Sequence, residues 1–184
     1  MKISNHNISF KAVIPKYKTT VQNKQTGKFE PALFCEVDCK NKNDYKIFSK
    51  LGDSWEYASC LETSAEWKYG NQKAKFDDPR GHYIIKKENG EILAICRTFE
   101  QYGKTRIDFL ESKPESQYRF AGQMILAGIA KEAIKKGSKT IVIESPVAGS
   151  DRFYEGICGF KEEDRGFVLK EEDLINFSKR TPRQ

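Results

Sequence analysis

The sequence predicts a mixed α/β fold in which a mostly antiparallel central sheet is flanked by helices. Two strand patterns, at 83–85 and 92–95, are separated by Asn89-Gly90, the strongest short hairpin signal. Apolar residues recur at helical spacing over 124–134, and a buried strand pattern follows at 140–144. A helix that joins two strands in this way is typical of a crossover, so we expect one parallel pair within the sheet.

The first thirty residues differ from the rest of the chain in pattern. An alternating stretch over 8–13 is followed by a polar run that ends in Thr26-Gly27. This combination is typical of a strand-like arm and a turn. We therefore interpret 1–30 as an N-terminal arm or accessory hairpin and 31–184 as the main domain.

The main domain begins with a strand pattern and two helical patterns. Leu33, Cys35 and Val37 alternate with acidic residues, which predicts a half-buried strand over 31–39. A short amphipathic helix is expected over 43–51, and a second helical region around Trp55 and Trp67.

The elements after the central hairpin have clearer sequence patterns than those before it. A third strand is expected over 105–111, after a turn at Tyr102-Gly103. The long helix should end at Lys136-Gly137, because glycine favours a helix stop and basic residues suit the negative end of the dipole. Residues 167–169 predict a last buried strand, entered through a turn at Gly159-Phe160.

Size and hydropathy exclude several classes of protein. A chain of 184 residues with 38% hydrophobic residues is expected to form one core. The longest apolar stretch, 124–130, is far shorter than the roughly 20 residues of a membrane-spanning helix. No repeat of structural length is visible, so solenoids are not predicted.

Cysteine usage favours a reduced, cytoplasmic protein. The five cysteines are odd in number and irregularly spaced, and residues 1–10 contain no apolar core of the secretory kind. Cys35 and Cys39 resemble half of a metal site. The sequence has two histidines and no second cysteine pair, so no metal ligand set is predicted.

The net charge of +6 leans towards the N-terminus. Lysines at 11, 16, 18, 24 and 28 allow contact with nucleic acid, but scattered lysines are more typical of a solvated surface. No nucleic-acid-binding motif accompanies them. A basic nucleic-acid-binding protein therefore stays a minor alternative.

Chemistry is indicated first by the segment from Glu111 to Met124, which lies between a predicted strand and the start of the long helix. The first N–H groups of a helix and its positive dipole end can bind a diphosphate. Gly122 would let the diphosphate approach the backbone, and Arg119 would add a charge-assisted contact.

A second segment follows the buried strand, with Phe153-Tyr154-Glu155 and then Gly159-Phe160. Together with Arg119-x-x-Gly122 it resembles the GNAT acetyltransferase superfamily, whose pattern is Arg/Gln-x-x-Gly-x-Gly/Ala, a strand, then Phe-Tyr-Glu-x-x-Gly-Phe. The resemblance covers about 82–170. Here three residues, not two, separate Glu155 from Gly159, and Met124 stands where the family prefers Gly or Ala.

The resemblance implies a cleft for acetyl-CoA, the cosubstrate, between the strand ending near Glu111 and the strand 140–144, which splay apart in this family. The pantetheine arm can use splayed backbone as an added strand would. We also expect 1–30 to be dispensable for cofactor binding, since the resemblance starts after them. The residues expected to contact the cofactor are Phe109, Leu110, Glu111, Arg119, Phe120, Ala121, Gly122, Gln123, Met124, Ile125, Ser150, Phe153 and Tyr154.

The resemblance also suggests catalytic roles. Tyr154 matches the tyrosine that commonly protonates the leaving thiolate in this family. Glu111 and Glu144 are candidates for the base that deprotonates the amine, although either can pair with Arg106 or Lys139 instead. A backbone N–H near Leu110 or Glu111 is the simplest donor to the oxyanion.

The function predicted on this basis is N-acetylation of a primary amine, of a small molecule or of a protein or peptide, by direct attack on acetyl-CoA. An acyl-CoA-binding module without catalysis is the main alternative. The acceptor pocket is built largely from 33–80, where the sequence is least informative. A monomer and a homodimer are both compatible with the sequence, and no membrane partner is expected.

Overall fold

A computed structural model describes residues 13–37, 81–144, 146–164 and 166–181. The helices predicted over 43–51 and around Trp55 and Trp67 lie outside the described residues. The strands are β1 Val13–Asn23, β2 Phe29–Val37, β3 Gly81–Lys86, β4 Ile92–Gln101, β5 Lys104–Ser112, β6 Tyr118–Arg119, β7 Thr140–Glu144, β8 Lys161–Glu163 and β9 Gly166–Lys170. Among the described residues, two α-helices, α1 Ala121–Lys135 and α2 Glu171–Ser178, accompany a π-helical segment, Arg152–Cys158.

The described strands form one sheet in the order β6-β1-β2-β3-β4-β5-β7-β9-β8. Neighbours are antiparallel except β5 and β7, which run parallel. α1 lies between them in sequence. The predicted fold class, a mostly antiparallel sheet with one crossover and flanking helices, is confirmed.

Two tight turns set the register of β3, β4 and β5. Gly90 has φ 90°, a left-handed conformation that suits glycine, and it lies in the predicted Asn89-Gly90 turn. Between β4 and β5, Tyr102 and Gly103 have φ 51° and 70°, the left-handed pair that a two-residue hairpin loop requires. Both predicted hairpins are therefore confirmed.

α1 covers one face of the sheet and provides the centre of the core. Ile125, Leu126 and Ala130 are fully buried and cluster with Phe34 of β2. Gly128 allows this close approach, because a Cβ there would lie 2.3 Å from the Phe34 ring. The helix ends at Lys135, and Gly137 follows with φ 82°, in agreement with the predicted stop.

β2 is buried on both faces, which differs from the half-buried strand expected over 31–39. Ala32 and Phe34 belong to the core beneath α1. Cys35 and Val37 belong to a second apolar cluster with Val13, Ile84 and Ile95. Because β2 is an inner strand, both sets of alternating side chains have packing partners.

β1 and β2 form one hairpin, and residue 30, the expected end of the arm, lies inside β2. The turn at 24–28 contains Gly27 with φ 69°, close to the predicted Thr26-Gly27 turn. Val21 is fully buried in the main core. Within 13–37, the hairpin is thus part of the central sheet. No helix of the described residues is long and apolar enough to cross a membrane.

Candidate active site

The sheet opens between β5 and β7. The two strands pair only over Thr105 to Ile107 of β5 and Ile141 to Ile143 of β7. β5 then continues to Ser112 while still paired with β4. A gap between two parallel strands therefore begins after Ile107, at the place predicted for the cofactor.

β5 carries a bulge where this gap begins. Arg97 of β4 pairs with Phe109 and Thr98 pairs with Ile107, so Asp108 is the extra residue. Arg97, with a side chain only 3% exposed, donates from Nε to Asp108 Oδ2 at 2.7 Å. Its guanidinium also lies over the Phe109 ring, 5.2 Å from the centroid. The buried guanidinium of Arg97 therefore contacts both Asp108 and its neighbour Phe109.

The start of α1 offers hydrogen-bond donors to a ligand. Phe120, the N-cap, is left-handed with φ 72° and makes no side-chain cap. The first intrahelical bond runs from the Met124 N–H to the Phe120 carbonyl at 2.9 Å. The N–H groups of Ala121, Gly122 and Gln123 precede that bond and have no acceptor within the helix. Together with the helix dipole they favour an anion.

A cleft of about 410 Å³ lies in front of these amides. Gly122 packs closely against β5 and the π-helical segment, because a Cβ there would meet Ser112 Oγ at 2.8 Å and the Phe153 ring at 3.3 Å. The residues that form its walls are Lys24, Leu93, Ser112, Lys113, Pro114, Glu115, Ser116, Tyr118, Arg119, Phe120, Ala121, Gly122, Gln123, Phe153 and Ile157.

Six residues expected at the cofactor line this cleft: Arg119, Phe120, Ala121, Gly122, Gln123 and Phe153. Met124 and Ile125 lie behind them, buried in the main core, so the bulky Met124 side chain points away from the cleft. Ser150 acts through its backbone: its carbonyl accepts the N–H groups of Phe153 and Tyr154, and its hydroxyl donates to the Val147 carbonyl at 2.6 Å.

The expected contacts on β5 divide between the two faces of the sheet. Leu110 packs against the core beneath α1, whereas Phe109 packs against the second cluster on the other face. Glu111 pairs with Ile95, a member of that second cluster, and shares its face. A ligand in the gap between β5 and β7 would therefore be contacted by β5 side chains from both faces of the sheet.

The segment with Tyr154 is wound as a π-helix over Arg152–Cys158. The wider winding accommodates the additional residue between Glu155 and Gly159 that departs from the family pattern. Gly159 ends the segment in a left-handed conformation, with φ 77°, and the chain then enters β8. The sequence predicts a turn at Gly159-Phe160. The additional residue is therefore accommodated within the π-helical segment itself.

Tyr154 is buried with 8% exposure, and its ring packs against Phe153, Phe160 and Phe167. Burial raises the pKa of its hydroxyl well above the usual range, with smaller contributions from the thiols of Cys96 and Cys158. No residue in the described ranges forms a hydrogen bond with this hydroxyl. Tyr154 is therefore a neutral phenol at physiological pH, with a proton to donate.

The two candidate bases differ in their surroundings. Glu144 forms an ion pair with Arg106 Nη1 across the β5–β7 pair, one of the pairings that the sequence left open. Glu111 lies further along β5, past the last β5–β7 pair, and is partly buried. Both carboxylates therefore lie on strands that border the gap, Glu111 on β5 and Glu144 on β7.

Three thiols of the described residues, Cys35, Cys96 and Cys158, are buried and form no disulfide. Burial raises the pKa of Cys35 to about 11 and of Cys158 to about 12, so neither is a thiolate near neutrality. No cluster of metal-ligating side chains occurs among the described residues.

Most of the cleft residues that sequence reasoning missed belong to the loop 112–118, which joins β5 to α1 inside the segment already singled out. Lys24 and Leu93 had no local signal. Lys24 reaches the cleft because β1 pairs with β6, and Leu93 because its carbonyl accepts the Lys113 N–H at 2.9 Å.

The sequence model described as the Acetyltransferase (GNAT) family matches residues 44–160, well over half of the chain. This chain belongs to the GNAT acetyltransferase family. No curated protein matches it. The GNAT signature residues named above, from Arg119 to Phe160, lie inside the matched range.

Solved GNAT-like structures share the fold at low identity. A putative acetyltransferase from Exiguobacterium sp. 255-15 has a TM-score of 0.56 and 20% identity, over 81% of this chain and 99% of that one. A spermidine N-acetyltransferase chimera from Vibrio cholerae and hSSAT has a TM-score of 0.57 and 11% identity, over 81% of this chain and 99% of that one. An N-acetyltransferase from Thermoplasma acidophilum, solved with coenzyme A, has a TM-score of 0.53 and 12% identity, over 76% and 98%.

Proposed function

We propose that this GNAT chain transfers an acetyl group from acetyl-CoA to a primary amine by direct attack. The supporting observation is the arrangement at the start of α1: three N–H groups and Gly122 face a cleft whose wall includes Ser112, the last residue of β5, and β5 extends beyond its pairing with β7. Family membership makes acetyl transfer the expected chemistry. The similar structure solved with coenzyme A supports the same ligand here.

The cradle at α1 fits the diphosphate of coenzyme A. The N–H groups of Ala121, Gly122 and Gln123 would donate to it, and Arg119 would add a positive charge. Gly122 leaves the space that a side chain would fill against Ser112 and Phe153. The pantetheine arm would then follow β5 past the bulge at Asp108, where the ladder to β7 has ended.

The thioester of acetyl-CoA supplies an activated acyl group and a sulfur leaving group. Tyr154 holds a proton on its hydroxyl for that sulfur, since its pKa is raised and it forms no hydrogen bond with the described residues. A backbone N–H near Leu110 or Glu111 would stabilise negative charge on the reacting carbonyl oxygen. The clamp of Arg97 on the bulge would hold that backbone in place.

A protonated amine cannot attack, so the acceptor must lose a proton first. We assign this role to Glu111, directly or through water, because it lies on β5 beyond the last β5–β7 pair, along the path expected for the pantetheine arm. Glu111 shares its face of the sheet with Phe109, opposite the face on which Tyr154 packs. Base and acid would thus act from opposite sides of the gap.

The acceptor is a primary amine of a small molecule or of a protein or peptide. One structural neighbour is a spermidine N-acetyltransferase, which makes polyamines a reasonable first choice of acceptor. The test is to incubate the purified full-length protein with acetyl-CoA and a panel of polyamines, amino acids and peptides, and to measure the release of free thiol. Calorimetry with acetyl-CoA is run in parallel.

Thiol release that depends on one class of amine supports the proposal. Tight binding of acetyl-CoA with no amine-dependent release across the panel contradicts transfer and favours an acyl-CoA-binding module. Absence of any binding contradicts the cofactor assignment itself.

A further inference from the structure

The N-terminal hairpin contacts the loop that leads into α1. Gln22 and Asn23 of β1 pair antiparallel with Arg119 and Tyr118 of β6. The Lys24 N–H donates to the Gln117 carbonyl at 2.8 Å. The backbone of the β1–β2 turn is therefore fixed to the backbone of the expected diphosphate loop.

Side chains reinforce this junction through Glu30 of β2. Its carboxylate accepts from Lys87 Nζ at 2.8 Å and from Asn23 Nδ2 at 2.9 Å. The hydroxyl of Tyr118 donates to it at 3.1 Å, and Lys87 also lies over the Tyr118 ring. These contacts join β1, β2, the end of β3 and the loop in one polar cluster.

An aromatic contact completes the junction on the side of the helix cap. The rings of Phe29 and Phe120 stack with centroids 6.4 Å apart. Phe120 is the left-handed residue that precedes the three N–H groups of α1 that have no acceptor within the helix. The hairpin thus packs against Phe120, the N-cap residue whose conformation orients the first N–H groups of α1.

Lys24 extends from this junction into the cleft wall. Of the other cations there, Lys113 is paired with Glu91 at 2.5 Å. Lys24 and Arg119 form no ion pair within the described ranges, and Glu115 is the acidic residue of the lining. These two positive charges, without an ion pair among the described residues, therefore border the start of α1.

We propose that the N-terminal hairpin is part of the cofactor site and that Lys24 binds a phosphate group of coenzyme A. This inference rests on the proposed function. Coenzyme A carries a diphosphate and a 3′-phosphate, which offer more negative charge than Arg119 alone would neutralise. A lysine ammonium on a flexible stem suits a phosphate because it needs no fixed approach angle.

The test compares coenzyme A binding by calorimetry in four full-length proteins: the parent, Lys24→Gln, Lys24→Arg and Lys28→Gln. Lys28 is an exposed lysine of the same turn that does not line the cleft, so it is the matched control. We expect Lys24→Gln to weaken binding about tenfold, while Lys24→Arg and Lys28→Gln stay close to the parent. The dissociation constant of Lys24→Gln should also depend less on salt.

Binding of 3′-dephospho-coenzyme A identifies which phosphate is involved. If Lys24 contacts the 3′-phosphate, the difference between parent and Lys24→Gln disappears with this ligand; if it contacts the diphosphate, the difference persists. Parental affinity in Lys24→Gln overturns the role of Lys24 alone. A parent protein without affinity for coenzyme A overturns the proposed function together with it.

Discussion

Tyr154 and Gly122 are single residues of the candidate site that can be changed while their surroundings stay largely in place. Tyr154 lies in an aromatic cluster that a phenylalanine ring would preserve. Gly122 lines the cleft, and a side chain there would meet the Ser112 hydroxyl and the Phe153 ring. Each substitution therefore separates a chemical role from a packing role.

For Tyr154→Phe we expect kcat to fall by about 10²–10⁴-fold with little change in stability or acetyl-CoA affinity, because the variant loses only the proton donor. The loss should shrink as the pH rises through about 8.5, where a free thiolate leaves without help. Tyr154 itself should not titrate in that range, because burial raises its pKa.

Steady-state kinetics between pH 6.5 and 9.5 measure this effect. Tyr102→Phe is the control, since Tyr102 is exposed at the β4–β5 turn. Parental turnover of Tyr154→Phe at neutral pH would leave Tyr154 as a packing residue only.

For Gly122→Val we expect acetyl-CoA to bind at least about tenfold more weakly, because the new side chain fills the approach to the N–H groups and crowds Ser112 and Phe153. Calorimetry measures the affinity, and thermal unfolding checks that the variant is folded. Gly156→Ala is the matched control, since a Cβ there would contact only Arg152, at 3.8 Å. A folded Gly122→Val protein with parental affinity would contradict the position of the diphosphate.

At the scale of elements, we propose for the N-terminal hairpin a role in cofactor binding that differs from the expectation drawn from the sequence. We expected residues 1–30 to be dispensable for cofactor binding. β1 instead places Val21 in the core and pairs with β6 beside the α1 N-terminus. We now expect removal of 1–30 to weaken both the fold and the loop.

The Glu30 cluster allows a milder test than deletion. For Glu30→Gln we expect weaker coenzyme A binding and faster amide exchange at Tyr118 and Arg119, because three donors to the carboxylate lose its charge. Lys87 and Asn23, followed by Tyr118, hold the pKa of Glu30 below its usual value. The carboxylate is therefore charged at all pH values above about 4.5, so the effect should be constant near neutrality.

Hydrogen exchange and calorimetry measure these two effects. Glu163→Gln is the matched control, because Glu163 pairs with Lys170 at the opposite edge of the sheet. Equal exchange at Tyr118 and Arg119 in both variants would show that Glu30 does not hold the loop.

At the scale of the whole molecule, buried acidic groups should make the fold sensitive to alkali. Burial raises the pKa of the thiols of Cys35, Cys96 and Cys158 and of the hydroxyls of Tyr83 and Tyr154. The unfolded chain releases these protons from about pH 8.5 to 10, whereas the folded chain keeps them to higher pH. The free energy of unfolding must then fall as pH rises above about 8.5.

We expect this loss to reach roughly 6 kcal/mol at pH 10 relative to pH 7.5, about 2 kcal/mol from each thiol. Urea unfolding with a reductant present, at both pH values, measures it. An equal or larger free energy of unfolding at pH 10 would mean that the thiols and hydroxyls are not shielded from solvent.

Sequence alone determined the features that depend on neighbours along the chain. Asn89-Gly90 and Tyr102-Gly103 specify their hairpins because the required left-handed conformations are local, and the spacing of apolar residues specifies α1. The Arg119-x-x-Gly122 segment likewise indicated a ligand-binding helix start and, with Phe153-Tyr154-Glu155, the family.

The tertiary structure alone decided which distant residues meet at the site. Lys24 and Glu30 lie beside Tyr118 to Phe120 because β1 pairs with the short edge strand β6, and pairing between remote strands leaves no periodic trace in either segment. The choice of Arg106 as the partner of Glu144 likewise depends on the register of the parallel β5–β7 pair. Local patterns specify elements because backbone preferences act over a few residues, whereas the composition of the site follows from strand pairing across the whole sheet.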